Sequence, residues 1–233
     1  MSVPEGFEAE FDRIEAAVDA GNTDLRALGF WRLLAKVKAD AALSAHWAEQ
    51  AGRIDRKAFE ARVRRRLPVW LGNLVLLAEA LLGAFAVGIA LGTDDETIAG
   101  LGLLFAGVAW CVAFHSPTHW LVGRLVGIRF IAYFFGRQFP PRPGVKADYA
   151  TYLRTSPRAR AWMHGSGAVA TKLAPFIALA FWPAADAPAW AALVLVALGA
   201  FQILTDVLFS TKSGDWKKVR RELRAARAQA ANG

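Results

Sequence analysis

The sequence has almost no cysteine, no visible internal repeat and no recognisable export signal. Cys111 is the single cysteine among 233 residues, which excludes a disulfide within the chain and a metal site built from several thiolates. Residues 1–20 lack the basic segment and the apolar core of a secretory signal. We therefore expect insertion into a membrane, if it occurs, to be directed by a later apolar segment.

Hydrophobic residues make up 55% of the chain, whereas charged residues make up 21%. This composition is too apolar for an ordinary soluble domain, so the charged residues must be segregated from the apolar ones along the chain. The length leaves room for one core and a small appendage. It leaves no room for a second globular enzyme domain.

Four apolar stretches are each long enough to cross a hydrocarbon layer of about 30 Å, which takes roughly 20 helical residues. They cover residues 69–91, 97–121, 166–182 and 188–209. The sequence therefore predicts an all-α membrane protein with four transmembrane helices.

The distribution of charge predicts the orientation of these helices. Lys and Arg concentrate in residues 53–66, 124–160 and 212–227. The two other connections, residues 93–96 and 183–187, contain acidic residues and no basic one. Because cytoplasmic flanks collect basic residues, we expect both termini and the long middle loop to be cytoplasmic. The net charge of +8 then reflects contact with lipid rather than with nucleic acid.

The same reading divides the chain into three parts. Residues 1–66 have apolar residues at helical spacing and predict a cytoplasmic amphipathic helical segment. Residues 67–212 form the membrane core, and residues 213–233 predict a basic cytoplasmic helix. The expected surroundings are the lipid bilayer of a plasma membrane and other transmembrane segments.

Ionisable groups at membrane depth are costly, so each is a functional candidate. His115 and His119 are four residues apart and share one helix face near the end of the second span. Asp206 is predicted at a similar depth in the fourth span. Two imidazoles and one carboxylate are a ligand set for catalytic zinc. Alternatively, the histidines only hydrogen-bond to backbone or lipid, and Asp206 caps its helix or pairs with a lysine.

Three more polar candidates stand in or beside the predicted spans. Glu79 is either a hydrogen-bonded carboxyl between helices or a general base. Lys172 either extends toward the cytoplasmic face or pairs with Asp206, and that pairing would compete with a metal. His164 stands where the third span begins.

The motif around the two histidines resembles the site-2 protease family of intramembrane zinc metalloproteases. Residues 115–130 read HSPTHWLVGRLVGIRF, where the family carries H-E-x-x-H followed by small residues and a G-V/I-R-like segment. Residues 164–173, HGSGAVATKL, resemble the family's later Gly-rich segment. The resemblance covers about residues 97–212 and implies zinc ligands at His115, His119 and Asp206.

The chain also departs from that family's pattern. Ser116 replaces the glutamate that acts as general base, and Pro117 stands between the two histidines. A hydroxyl does not serve as a base near neutral pH, so ordinary peptide hydrolysis is not expected. The sequence leaves three hypotheses: a metal-binding relative without ordinary proteolysis, an active metalloprotease with an unconventional base, or a structural or transport component of the membrane.

Overall fold

The computed structural model describes residues 6–135, 143–209 and 214–232. This part of the chain is mostly helical, with ten helices and three short strands. The helices are α1 (Phe7–Asp19), α2 (Phe30–Val37), α3 (Ala41–His46), α4 (Ala48–Arg62), α5 (Val69–Gly92), α6 (Glu96–Leu125), α7 (Tyr149–Arg154), α8 (Pro157–Leu179), α9 (Ala189–Phe209) and α10 (Asp215–Asn232). The strands are β1 (Arg66–Leu67), β2 (Phe130–Phe135) and β3 (Pro143–Ala147).

Helices α1 to α4 pack into a small cluster with its own apolar core. Phe11 is fully buried and stacks on Trp47, with ring centroids 4.7 Å apart. The same core includes Tyr152 of α7 and Met163 of α8. The amphipathic N-terminal helices are therefore held against the beginning of α8.

Three helices, α5, α6 and α9, are long and apolar enough to cross a membrane. Large apolar side chains on them remain exposed, Phe85 at 68% and Leu193 at 69% among them. Exposed apolar surface on this scale is typical of contact with lipid. The predicted boundary at residues 212 and 213 lies outside the described residues.

The prediction of four spans is wrong, because three helices in the described part of the chain meet the length and hydropathy of a span, not four. The remaining predicted stretch, residues 166–182, lies mostly within α8. This helix begins much earlier, at Pro157, and its first sixteen residues include Arg158, Arg160, His164 and Lys172. These polar residues leave α8 less apolar than its neighbours. It nevertheless packs closely along α6 and contacts α9.

Part of the middle loop forms a three-stranded antiparallel sheet in the order β1-β2-β3. Tyr133 of β2 pairs with Leu67 of β1 on one side and with Val145 of β3 on the other. The β3 strand lies against α6, where the Ser116 hydroxyl donates a hydrogen bond to the Pro143 carbonyl at 2.6 Å. The sheet thus lies beside the two histidines.

The C-terminal helix α10 packs along α8 rather than standing free. Glu222 is fully buried, and its carboxylate meets Lys38 Nζ at 2.8 Å and Arg160 Nε at 2.7 Å. Lys38 follows α2 and Arg160 belongs to α8, so one carboxylate joins three parts of the chain. This contact positions the first residue of α10, Asp215, near α6.

Candidate metal centre

Helix α6 presents His115 and His119 side by side. Their ring centroids are 4.8 Å apart, and the rings are nearly perpendicular. The helix continues through Pro117, so the four-residue spacing still places both rings on one face. His119 is buried and His115 is half-buried against α8.

The Nδ1 atom of His119 lies 2.6 Å from the backbone carbonyl oxygen of Met163. A carbonyl oxygen can only accept a hydrogen bond, so Nδ1 carries the proton and donates it. In the neutral ring the other nitrogen, Nε2, then has a free lone pair.

The same assignment applies to His115. Its Nδ1 lies 2.9 Å from Thr171 Oγ1 and 3.2 Å from the Gly167 carbonyl oxygen. The Thr171 hydroxyl itself donates to the Gly167 carbonyl at 2.9 Å. Thr171 Oγ1 is therefore free to accept from Nδ1, and His115 also presents an unprotonated Nε2.

Both Nε2 atoms face one oxygen of Asp215, the first residue of α10. Asp215 Oδ2 lies 3.5 Å from His115 Nε2 and 3.3 Å from His119 Nε2, and the three atoms all lie within 4.8 Å of one another. Metal bonds of about 2.0–2.1 Å place the ligands of a tetrahedral ion about 3.3–3.4 Å apart. The distances to the carboxylate match that spacing.

The charges of His115, His119 and Asp215 favour a positive charge between the three side chains. Two nitrogen lone pairs and a carboxylate oxygen repel one another unless a cation or an additional proton stands between them. Burial alone would raise the pKa of Asp215, but in the absence of a metal a second proton on His119, placed on Nε2 and hydrogen-bonded to the carboxylate, and the charge of Lys218 outweigh it and hold that pKa well below its ordinary value. Lys218 Nζ lies 2.9 Å from Asp215 Oδ1, the other oxygen of the same carboxylate.

Asp206, the predicted third ligand, is not part of this group. Its carboxylate forms an ion pair with Lys172 and accepts a hydrogen bond from Trp216 Nε1 at 2.8 Å. The pairing that would compete with a metal is therefore the one that forms. Asp215 takes the place beside the histidines because α10 folds back along α8.

The other predicted polar residues also lie outside the group. His164 Nε2 is 2.9 Å from the hydroxyl oxygen of Tyr152, and its ring centroid is 6.5 Å from that of His119. Glu79 has no hydrogen bond or ion pair with any residue that the structure describes. Among the described residues, Asp215 is the one carboxylate grouped with the two histidines.

Sequence reasoning missed Asp215 for a physical reason. The residue opens a basic helix separated from His119 by nearly one hundred positions, and no spacing rule connects the two. Its one visible signal is the acidic residue at the start of that basic helix, where a carboxylate ordinarily stabilises the helix N-terminus. The contact with the histidines follows from tertiary packing.

We predict that Thr171→Val weakens metal binding by about 10- to 100-fold, because partners that orient a ligating histidine contribute that much to affinity. Valine has nearly the same shape but cannot accept the proton of His115 Nδ1. Competition titration with a chromogenic zinc chelator measures the change. Thr205→Val is the matched control, since among the residues that the structure describes the Thr205 hydroxyl bonds only to the Gln202 carbonyl within its own helix. Equal affinity in wild type and Thr171→Val would contradict the orienting role.

The fold and the site together define a helical protein with candidate membrane spans and a candidate His–His–Asp metal centre. No family model, no curated protein and no solved structure matches the chain. The comparisons thus assign no function to the chain.

Proposed function

We propose that this chain is an integral membrane protein, similar in design to site-2 proteases, that binds one zinc ion and lacks their ordinary proteolytic activity. The observation that carries the proposal is the orientation of His115 and His119. Each ring has its Nδ1–H committed to an oxygen acceptor, and each Nε2 is turned to the same Asp215 oxygen.

The donor set favours zinc over the hard cations. Two imidazole nitrogens and one carboxylate, with a fourth position left for water, are typical of zinc sites. Calcium and magnesium prefer sites built wholly from oxygen atoms. Zinc bound here would act as a Lewis acid or as a fixed positive charge, and His115, His119 and Asp215 would hold it.

The absence of ordinary proteolysis rests on Ser116. This residue occupies the position of the family's general base, and its hydroxyl is directed to the Pro143 carbonyl of β3. Other carboxylates are engaged elsewhere: Asp206 pairs with Lys172, and Asp148 pairs with Arg56 at 3.1 Å. Glu79 has no such partner among the described residues, but it lies outside the group formed by the histidines. An active protease with an unconventional base, drawn from Asp206, Asp148 or Glu79, is therefore the less favoured alternative.

The second alternative is a membrane structural or transport component in which protonated histidines simply pair with Asp215. The same geometry satisfies a proton in place of a metal ion. What favours zinc is that two Nε2 atoms share a single oxygen, because pairing both without a metal requires both rings to be protonated, and two positive rings with centroids 4.8 Å apart repel each other.

We infer the membrane setting from charge and packing. The basic segments before α5, after α6 and around α10 would face the cytoplasm of a plasma membrane, with both termini on that side. The α1–α4 cluster packs on the start of α8, the same end of the helices that carries His119 and α10. The partners of this protein would be the lipid bilayer and the transmembrane segments of other proteins.

The test is metal content by mass spectrometry on protein purified in detergent with zinc present and then dialysed. We expect about one zinc per chain in wild type, by analogy with other three-ligand sites. His115→Ala/His119→Ala and Asp215→Asn should lose it, while Asp206→Asn, the matched carboxylate control, should retain it. Wild-type protein without metal would overturn the zinc proposal, and loss in Asp206→Asn alone would return the third ligand to Asp206.

A further inference from the structure

A cavity of about 360 Å³ lies between α4, α7 and the residues that follow α6. Four arginines and two carboxylates line it, which leaves an excess of two positive charges. The charged lining residues are Arg53, Arg56, Arg129, Arg154, Glu49 and Asp148. An opening of this volume and charge can accept a phosphate group with its surrounding atoms.

Ion pairs orient three of these arginines and leave the fourth free, and Arg53 pairs with Glu15, which lies outside the lining, at 3.3 Å. Arg154 meets Glu49 at 2.8 Å, and Arg56 meets the mostly buried Asp148 at 3.1 Å. Arg129 has no ion-pair partner among the described residues. Its backbone N–H donates to Thr151 Oγ1 at 3.0 Å, which fixes the start of its side chain at the edge of the cavity.

A second groove of about 410 Å³ continues from this cavity and shares Thr151 and Arg154 with it. The rest of its lining is small or apolar, with Val126, Gly127 and Ala159 among the residues. Val126 directly follows the candidate span α6, which ends at Leu125. The charged cavity therefore opens toward the end of a membrane helix.

Exposed apolar side chains lie beside the groove, near the end of α6. Leu125 is 77% exposed, and Trp162, one turn beyond Ala159 on α8, is 74% exposed. Tryptophan at the end of an apolar region is typical of the membrane–water interface. The cavity and the groove together thus extend from the arginine cluster, which faces water, to an apolar surface at the membrane–water interface.

We propose that this continuous groove binds the headgroup of an anionic phospholipid. The phosphate lies against Arg129 and Arg154, and the glycerol end of the lipid points along Val126 and Ala159 toward Leu125. Arginine suits the role because its planar guanidinium donates two parallel hydrogen bonds to phosphate oxygens. Basic pockets beside membrane helices bind lipid headgroups by this chemistry. The site is independent of the metal centre.

The experiment uses the full chain in a neutral detergent and titrates it with short-chain phosphatidylglycerol while native mass spectrometry counts bound lipids. The affinity of Arg129→Gln/Arg154→Gln should be at least about tenfold weaker than that of wild type, because the variant loses two guanidinium groups that donate charged hydrogen bonds to the phosphate. Arg26→Gln is the control, since Arg26 is also exposed and has no ion pair among the described residues. Short-chain phosphatidylcholine tests whether net anionic charge is required.

Retention of one phosphatidylglycerol by wild type and Arg26→Gln, with loss in the double variant, would support the proposal. Equal loss in Arg26→Gln would overturn it in favour of diffuse attraction. Full competition by glycerol 3-phosphate would assign the cavity to a soluble phosphate ester instead. Arg129→Lys/Arg154→Lys keeps the charge, so an intermediate affinity there excludes misfolding as the cause, and wild-type affinity would overturn the bidentate contact.

Discussion

Gly167→Ala is expected to abolish zinc binding and to destabilise the protein, whereas Gly165→Ala should do neither. A Cβ atom at Gly167 would lie 2.4 Å from His119 Nε2 and 2.7 Å from the His115 backbone oxygen. The imidazole could rotate away, but only by leaving the group, and the backbone oxygen cannot move without shifting α6. Overpacking of this kind costs about 1–3 kcal/mol. At Gly165 the nearest atom would be a Val219 side-chain carbon at 3.7 Å, an ordinary contact.

The two alanine variants form a matched pair because both replace a glycine in the middle of α8. Any general gain in helix propensity is therefore common to both. Zinc content and the thermal midpoint in detergent, followed by tryptophan fluorescence, measure the effects. Stoichiometric zinc in Gly167→Ala would contradict the close approach of Gly167 to His119 and to the His115 backbone.

The elements most visible in the sequence are those governed by local composition. The stretches 69–91, 97–121 and 188–209 correspond to α5, α6 and α9, because a long apolar run has few options besides a membrane helix. The predicted span at 166–182 is wrong because its helix extends back to Pro157 and includes polar residues that face α6 and α10. A span prediction weighs composition and takes no account of which neighbours satisfy a polar side chain.

The candidate site likewise contains residues that local sequence predicts and one that it does not. The His115/His119 pair follows from a four-residue spacing, which is a local property of any helix. Asp215 joins the pair through the return of α10 along α8, and no local pattern encodes that return. The buried contact of Glu222 with Lys38 and Arg160 could not be predicted either, because its members are far apart in sequence. Local rules therefore predicted two of the three residues of the candidate site, and tertiary packing supplied the third.

Asp215, the proposed third ligand, and the buried Glu222 carboxylate belong to the same helix, so docking of α10 and the proposed metal binding should be coupled. Asp215 reaches the histidines only while α10 lies along α8. Glu222 holds α10 in this position, since its carboxylate is fully buried and forms ion pairs with Lys38 and Arg160. Loss of the Glu222 contacts should consequently weaken zinc binding, although Glu222 touches neither histidine.

We therefore expect Glu222→Gln to lower the free energy of unfolding by about 3–5 kcal/mol, the cost of leaving buried charges without their partner. Zinc affinity should fall at least about tenfold, because docking of α10 that is weaker by about 1.4 kcal/mol lowers by that factor the fraction of the protein in which Asp215 reaches the histidines. Denaturation in detergent and chelator competition measure the two quantities. Glu10→Gln is the control, since Glu10 pairs with Arg13 at the exposed surface and should change neither.

Acid titration separates loss of the Glu222 charge from a general packing defect. Burial would raise the pKa of Glu222, but Lys38 and Arg160 outweigh it and lower the pKa to about 2 from an ordinary value of 4.5. A carboxylate with a lowered pKa stabilises the fold above its ordinary value, and that contribution is lost as the pH falls from 4.5 toward 2. Wild type should therefore lose more unfolding free energy than Glu222→Gln across this interval. Parallel curves would mean that the carboxylate charge contributes nothing, and an unchanged zinc affinity in the variant would refute the coupling to Asp215.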